Sequence, residues 1–495
     1  MFTPSEEIIQ LLQAFSRCFT APTFAKIIDL VCGAILSPGR RTVTSALRAI
    51  GLQSRKTFCN YHHVLSRNRW SAMRLSRILL SLLLQTFLDP NQPIDIVGDE
   101  TLERRRGKKI SYKGWFRDAV RSSHSVVVTA LGIRWLCLCI LVTVPWSHRG
   151  WALPFFTVPV CSEKNCQKRN RAFRGSIGLT IDALIKIRRW LGSSYKIRFI
   201  GDGGFSAMEL LLFNRSLGIT QIGRLNITAK LYDAPGEQPA SKRGTKPKKG
   251  ARQVSLKHRA ADPNTQWQEI DLAWYGGQSK KVHLATATAL WHVDGYDPAP
   301  LRWVLVRSVD HQGVPSDSVA AFFSTDVEMT AEQIVALYAQ RWKAVGPKAP
   351  SLRGDCIEVF FEEVRACLGF ETQRGWSDQT IGRTTPCLFG IFSLVVILAK
   401  RLFPQDLPVR QAAWYNKEEA TFRDVLSAVR EHLWQSGIGM PAIGMPGMGL
   451  GPRTTTLAPC QNMENNTTGS VIDDDQCLIS RHFLATLQEM ACYVA

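Results

Sequence analysis

Three carboxylates carry the chemical information in this chain. Asp99 ends the strand candidate Ile94–Asp99 in Ile-Val-Gly-Asp-Glu-Thr, and Asp202 ends Lys196–Asp202 in Phe-Ile-Gly-Asp-Gly-Gly-Phe. Glu358 opens the amphipathic stretch Ile-Glu-Val-Phe-Phe-Glu-Glu-Val-Arg. Hard oxygen ligands brought from two strand ends and a helix could hold a pair of Mg²⁺ (or Mn²⁺) ions about 4 Å apart, which suits in-line displacement at phosphorus. Strand ends fix an aspartate's backbone, and the flanking Gly98, Gly201, Gly203 and Gly204 are expected to permit tight turns and close approach of a substrate. A single aspartate after a strand is more commonly a turn former or a cap. The trio's placement on strand, strand and helix raises it above that reading.

The surrounding chain is strongly basic: 61 Lys and Arg against 41 Asp and Glu in 495 residues, a formal charge of +20 and a pI near 9.6. Such a balance points to an anionic partner, with DNA ahead of a membrane surface. The N-terminus, Met-Phe-Thr-Pro-Ser-Glu-Glu, begins acidic, unlike a secretory signal. Of the most apolar stretches, Ser125–Trp146 carries Arg134 and reads as paired buried strands, and Cys387–Ala399 is short for a membrane span. The expectation is therefore no membrane partner and a cytoplasmic protein. Thirteen cysteines without a Cys-x-x-Cys pair read as free thiols rather than a zinc site.

The carboxylates need elements to position them. Residues 1–90 read as helical, with apolar residues at helical spacing in Ile8–Phe19, Phe24–Ile35, Val43–Ile50 and Met73–Phe87. The basic segment Arg40–Arg48 reads equally as part of a helix-turn-helix and as an amphipathic helix with a solvated face. From Pro93 the pattern turns to strands: Ile94–Asp99, Ser125–Gly132, Leu136–Pro145 and Lys196–Asp202, with helices over Thr180–Leu191 and Ala207–Asn214. This α/β order, opening on an antiparallel meander, suits a ribonuclease-H-like core over residues 91–221. Residues 222–326 hold short strand candidates and the loop Ser241–Arg259, whose Lys242, Arg243, Lys246, Lys248, Lys249 and Arg252 stand without an acid among them. In a chain of this charge the loop is expected to track phosphates. Helical pattern resumes over 327–435 (Thr330–Lys343, Ile357–Leu368 and Thr385–Leu402), and 436–495 opens as a Gly/Met/Pro-rich flexible tail. Trp342 and Trp376 are read as core packing ahead of stacking on an unpaired base.

The motifs together resemble DDE-type transposases of bacterial insertion sequences, in the branch with a β-rich insertion domain between the second aspartate and the glutamate. The resemblance spans about residues 40–430. It rests on Gly-Asp-Glu-Thr-Leu-Glu-Arg-Arg-Arg-Gly-Lys-Lys-Ile, Arg-Asp-Ala-Val-Arg-Ser-Ser-His, Gly-Asp-Gly-Gly-Phe and Glu-Thr-Gln-Arg-Gly-Trp-Ser. It implies an α/β protein with a ribonuclease-H-like catalytic core, a β-rich insertion domain (222–326) and a helical N-terminal DNA-binding region (1–90). The implied activity is a metal-dependent endonuclease and strand transferase, with Asp99, Asp202 and Glu358 as metal ligands. The implied partners are terminal inverted repeats, target DNA and a second copy of the chain, in a bacterial cytoplasm at the nucleoid.

The family's third signature, Tyr-x-x-Arg-x-x-x-Glu-x-x-x-x-x-x-Lys, is interrupted here. Tyr338 and Arg341 begin it and Glu358 resumes it, with Arg365 in place of lysine; all three flanking residues are implied DNA contacts. Residues 344–356 between them contain two prolines and two glycines, which oppose a continuous helix. The alternative expectation is a catalytically impaired, DNA-binding remnant. Glu362, Glu363 and Glu371 are rival third acids; Glu358 leads by register and because a helix start favours negative charge.

Overall fold

Apolar β-formers in Ile-Asp-Ile-Val-Gly explain the central strand, β1 (Ile94–Arg104), which a computed structural model places at the heart of one sheet. The structure describes residues 2–118, 121–122, 125–168, 170–236, 246–273, 279–310, 312–341, 356–414, 417 and 419–438. These all fall within one compact unit, Met1–Ala442.

β1 is flanked on one side by β3 (Thr129–Val144), antiparallel, and on the other by β5 (Ile197–Gly201), parallel. β2 (Gly114–Arg117) and β4 (Ser147–Val160) share the far edge of β3, and β6 (Ile219–Arg224) runs parallel beyond β5. The order β4-β3-β1-β5-β6, three antiparallel strands followed by two parallel ones, is the ribonuclease-H-like arrangement expected of the sequence. The parallel additions come through helical crossovers, α7 (Ser176–Leu191) before β5 and α8 (Met208–Ser216) before β6.

One expectation differs. Ser125–Gly132 and Leu136–Pro145 are not two strands but the single β3, which turns at Pro145–Trp146 into β4. The apparent break at Arg134 is bridged because its guanidinium lies over the Phe116 ring and 3.4 Å from Glu100, so a cation fits inside the strand.

The strands of 222–326 continue the same sheet. β11 (Pro315–Ser324) pairs with β6, and β10 (Ala299–Val309), β9 (Ser279–Trp291) and the two-residue β7 (Leu231–Tyr232) follow outward, with β8 (Gln268–Ala273) on β9. This part has its own apolar cluster, including Leu231, Leu256, Trp291, Trp303 and Phe323. The short α9 (Leu256–Ala261) is capped by Ser255.

In the N-terminal region the observed helices are α1 (Glu6–Gln13), α2 (Ala21–Leu36), α3 (Val43–Ala49), α4 (Cys59–Ser66) and α5 (Ala72–Phe87). Their apolar faces, among them Ile8, Leu11, Ile35, Leu80 and Leu83, join the same core cluster as the sheet. A short α6 (Glu163–Lys168) follows β4. The C-terminal helices are α10 (Ala331–Arg341), α11 (Cys356–Leu368), α12 (Asp378–Leu402) and α13 (Phe422–Ile438). α12 starts seven residues before the expected Thr385, capped by Ser377 and carrying Pro386 inside it. Among described helices it alone is long and apolar enough to cross a bilayer, yet 67% of its most apolar window is buried within the fold. Its large buried face offsets the lost proline N–H.

Candidate active site

Register brings the two aspartates together. Gly98 pairs with Gly201 across the parallel β1–β5 ladder, so Asp99 and Asp202 are the next residues on neighbouring strands, whose backbones lie about 4.8 Å apart. Asp202 remains extended (φ −75°, ψ −175°), so by alternation both carboxylates leave the sheet on one face. Asp99 Oδ1 accepts from the Glu100 N–H at 2.7 Å, and Asp202 Oδ1 accepts from the Gly204 N–H at 2.8 Å, capping a short turn of 3₁₀ helix. Asp202 is thus both a cap and a partner of Asp99.

The glycines act differently from the expectation. Neither Gly98 nor Gly201 has a positive φ. A Cβ on Gly98 would stand 2.9 Å from the Phe199 ring, and one on Gly201 would stand 2.6 Å from the Phe205 Cβ. They make room for the two aromatic rings that pack beneath the aspartates.

α11 lies over the aspartate face. Thr101, two residues beyond Asp99 and therefore on the same face, accepts a 2.6 Å hydrogen bond from Arg365 Nη2. Glu358 is seven residues before Arg365, two turns earlier on nearly the same stripe, and is exposed. The opposite face of β1 is covered by α7, whose Ser176 hydroxyl donates to Glu100. Among the described residues no group of three or more His, Cys, Asp or Glu is close enough to hold a metal ion. The β1–β5 register assembles the aspartate pair, and Glu358 lies on α11, the helix that packs against β1 on the same face. Two hard carboxylates side by side are the donor chemistry of a Mg²⁺ or Mn²⁺ site.

Tyr338 lies on α10, and Glu358 and Arg365 lie on α11; residues 342–355 between them are outside the described set. Tyr338 is 3% exposed, its ring 4.5 Å from that of Phe322. It is a core residue rather than the expected DNA contact, because the outer strands β10 and β11 supply an apolar wall for α10. The Arg341 side chain and Trp342 lie outside the described residues.

Arg365 is likewise turned inward. Its guanidinium donates to Thr101 Oγ1, to the Leu102 and Phe361 carbonyls, and to Glu371 Oε1 at 3.3 Å. Burial pulls its pKa below the ordinary arginine value. It clamps α11 to β1. Glu371 also accepts from Arg104, which grips the buried Asp118 through two 2.9 Å bonds. Two arginines thus occupy Glu371, which removes it as a rival third acid; Glu363 accepts from the Cys367 thiol, and Glu362 stays exposed. Sequence reading missed this Asp118–Arg104–Glu371–Arg365 chain, although four quoted stretches contain one member each.

Of the basic loop, Lys242 and Arg243 lie outside the described residues. Lys246, Lys248 and Arg252 are exposed, with Lys248 paired to Asp297. Lys249 is half-buried, 4.3 Å from the Tyr232 ring centroid and 2.9 Å from His292 Nδ1. Backbone bonds from Gly250 and Gln253 to the β7 segment tie down this end of the loop. In the Arg40–Arg48 segment, Arg41 is buried and donates to the Cys367 carbonyl, and burial pushes its pKa down to about 10. A mostly apolar cavity of about 740 Å³ lies between the N-terminal helices and α12, and none of the three carboxylates lines it.

Sheet order and paired strand-end aspartates define a ribonuclease-H-like nuclease core. The sequence pattern of the DDE superfamily endonucleases matches residues 14–298, more than half of the chain, and the protein belongs to that family. The match includes both aspartates and ends before Glu358. Family membership makes DNA the substrate class and is consistent with a DDE-type transposase; such nucleases generally use divalent metals. Among curated proteins, none matches the chain.

Proposed function

We propose that the chain is a DNA transposase that cuts at transposon ends and joins the freed strand to target DNA by metal-dependent phosphoryl transfer. The observation that carries this reading is the register of Gly98 with Gly201, which sets Asp99 beside Asp202 on the face covered by α11. Asp99 and Asp202 would hold Mg²⁺ or Mn²⁺, and Glu358, on the α11 stripe shared with Arg365, would complete the ligand set. A bound divalent ion would supply charge neutralisation at the scissile phosphate and a lowered pKa for the attacking water or 3′-hydroxyl. The chain's own part is to hold the carboxylates on rigid elements, with Arg365 fixing α11 against β1. Exposed Lys246, Lys248 and Arg252 would neutralise phosphates away from the cut. Terminal inverted repeats, a homodimer on DNA and a cytoplasmic, nucleoid-associated location belong to the same reading.

Asp99→Asn tests it. The amide keeps the Glu100 N–H bond but loses the charge needed for a metal ligand. Mg²⁺-dependent cleavage of end DNA should fall at least 100-fold, with end binding within about twofold. Unchanged cleavage would remove Asp99 from the site.

A second reading, an impaired DNA-binding remnant, is favoured by the sequence of residues 344–356, whose two prolines and two glycines interrupt the third signature. It predicts cleavage only by a chain lacking residues 344–356. Equal cleavage by both chains refutes it.

A further inference from the structure

Two segments far apart in sequence line one basic cleft of about 440 Å³: residues 104–110, which continue β1, and residues 371–376, which lead into α12. Three of its cations are already engaged. Arg104 pairs with Asp118 and Glu371, Arg105 with Glu103, and Lys109 lies 5.3 Å from the Trp376 ring centroid. Arg106, Lys108 and Arg374 are exposed and have no acid within ion-pair distance among the described residues. The single acid lining the cleft, Glu371, is bound by Arg104 and Arg365 and sits at φ +76°, a backbone conformation that side chains rarely adopt. Trp376 is 56% exposed, contrary to its expected place in the core.

We propose that this cleft binds an unpaired nucleotide of a DNA strand, the Trp376 indole stacking on the base and Arg106, Lys108 and Arg374 meeting the flanking phosphates. Cations alone would suit any phosphate, but an exposed indole among them adds a face on which any base can stack. The buried pairs Glu103–Arg105 and Asp118–Arg104 hold the first rim, and Arg104 to Glu371 and Arg105 to the Gly375 carbonyl tie the second rim to it, so the free cations are presented without a large ordering cost. The cleft begins five strand residues beyond Asp99, about 17 Å along β1. A strand frayed at the cut would reach it within a few nucleotides. This inference rests on the DNA-processing reading and adds a site outside the carboxylates.

The test is equilibrium binding of the full chain to a labelled single-stranded oligonucleotide and to a blunt duplex of equal length. Trp376→Ala should weaken single-strand binding by about 5- to 150-fold, the range of stacking losses, and leave the duplex within about twofold. Trp376→Phe should restore most of the loss. Arg106→Ala should lower the salt dependence of single-strand binding by about one counterion. Equal loss on both DNAs would make the cleft a duplex-phosphate contact and overturn the proposal, as would no loss on either. Failure of the unaltered chain to bind either DNA would instead overturn the DNA-processing reading, and this inference with it.

Discussion

Replacing Glu103 by alanine should expose how much of the site's rigidity one buried carboxylate supplies. Glu103 is fully buried; Oε1 accepts from Arg105 Nη1 at 2.7 Å, and Oε2 accepts from Trp135 Nε1 at 2.8 Å and Thr385 Oγ1 at 3.0 Å. Glu103→Ala leaves the Arg105 charge, only 8% exposed, without its counter-ion, and leaves two further buried donors without their acceptor. Breaking a buried pair from one side costs about 3–5 kcal/mol, chiefly because the remaining charge stays desolvated. At about 2.1 cal/mol/K per residue, unfolding a unit the size of Met1–Ala442 carries an entropy near 0.9 kcal/mol/K, so Tm should fall by about 3–6 °C. Arg105 also donates to the Gly375 carbonyl, so amide exchange should rise locally over 371–376. The double variant Glu103→Ala/Arg105→Ala should lose less than the two single variants summed, since it removes the orphaned charge. A Tm change under 1 °C for Glu103→Ala, or strict additivity, would falsify the assignment of this pair as the anchor between β1 and α12.

Two further outcomes follow from geometry. Asp202→Asn should abolish cleavage as Asp99→Asn does, yet leave Tm within about 1 °C, because the amide oxygen can still accept from Gly204 at the price of little cap energy; a large Tm loss would show that the charge is structural. Burial pushes the Asp424 carboxyl up, but Lys417 and the Thr421 amide and hydroxyl outweigh it and hold its pKa below the ordinary value. A depressed folded value means that this stabilisation is present above the unfolded pKa of about 3.9 and is lost as pH falls through the folded value. The Tm gap between the unaltered chain and Asp424→Asn should therefore be open at pH 6 and shrink below about pH 4. A gap that is constant from pH 6 to pH 3 would count against the Lys417–Asp424–Thr421 cluster as its source.

The chain's local pattern announces its local structure, since β-formers that end at Gly-Asp and apolar residues at helical spacing act over a few neighbours. Ile94–Asp99 and Lys196–Asp202 were legible as strands carrying the key acids, as were α2, α7 and α11. Elements with mixed signals were not: β6 is six residues of alternating polar character, and β11 opens on Pro-Ser-Asp-Ser before its apolar half. Sequence also identified the family through Asp99 and Asp202, because the two motifs are contiguous. What only the tertiary structure decided is which way the remaining candidates face. Tyr338 is buried because β11 lies under α10, Arg365 is consumed by Thr101 and Glu371, and Trp376 stands in solvent beside three uncommitted cations. Burial and pairing are set by residues hundreds of positions apart, and no local pattern along the chain records them.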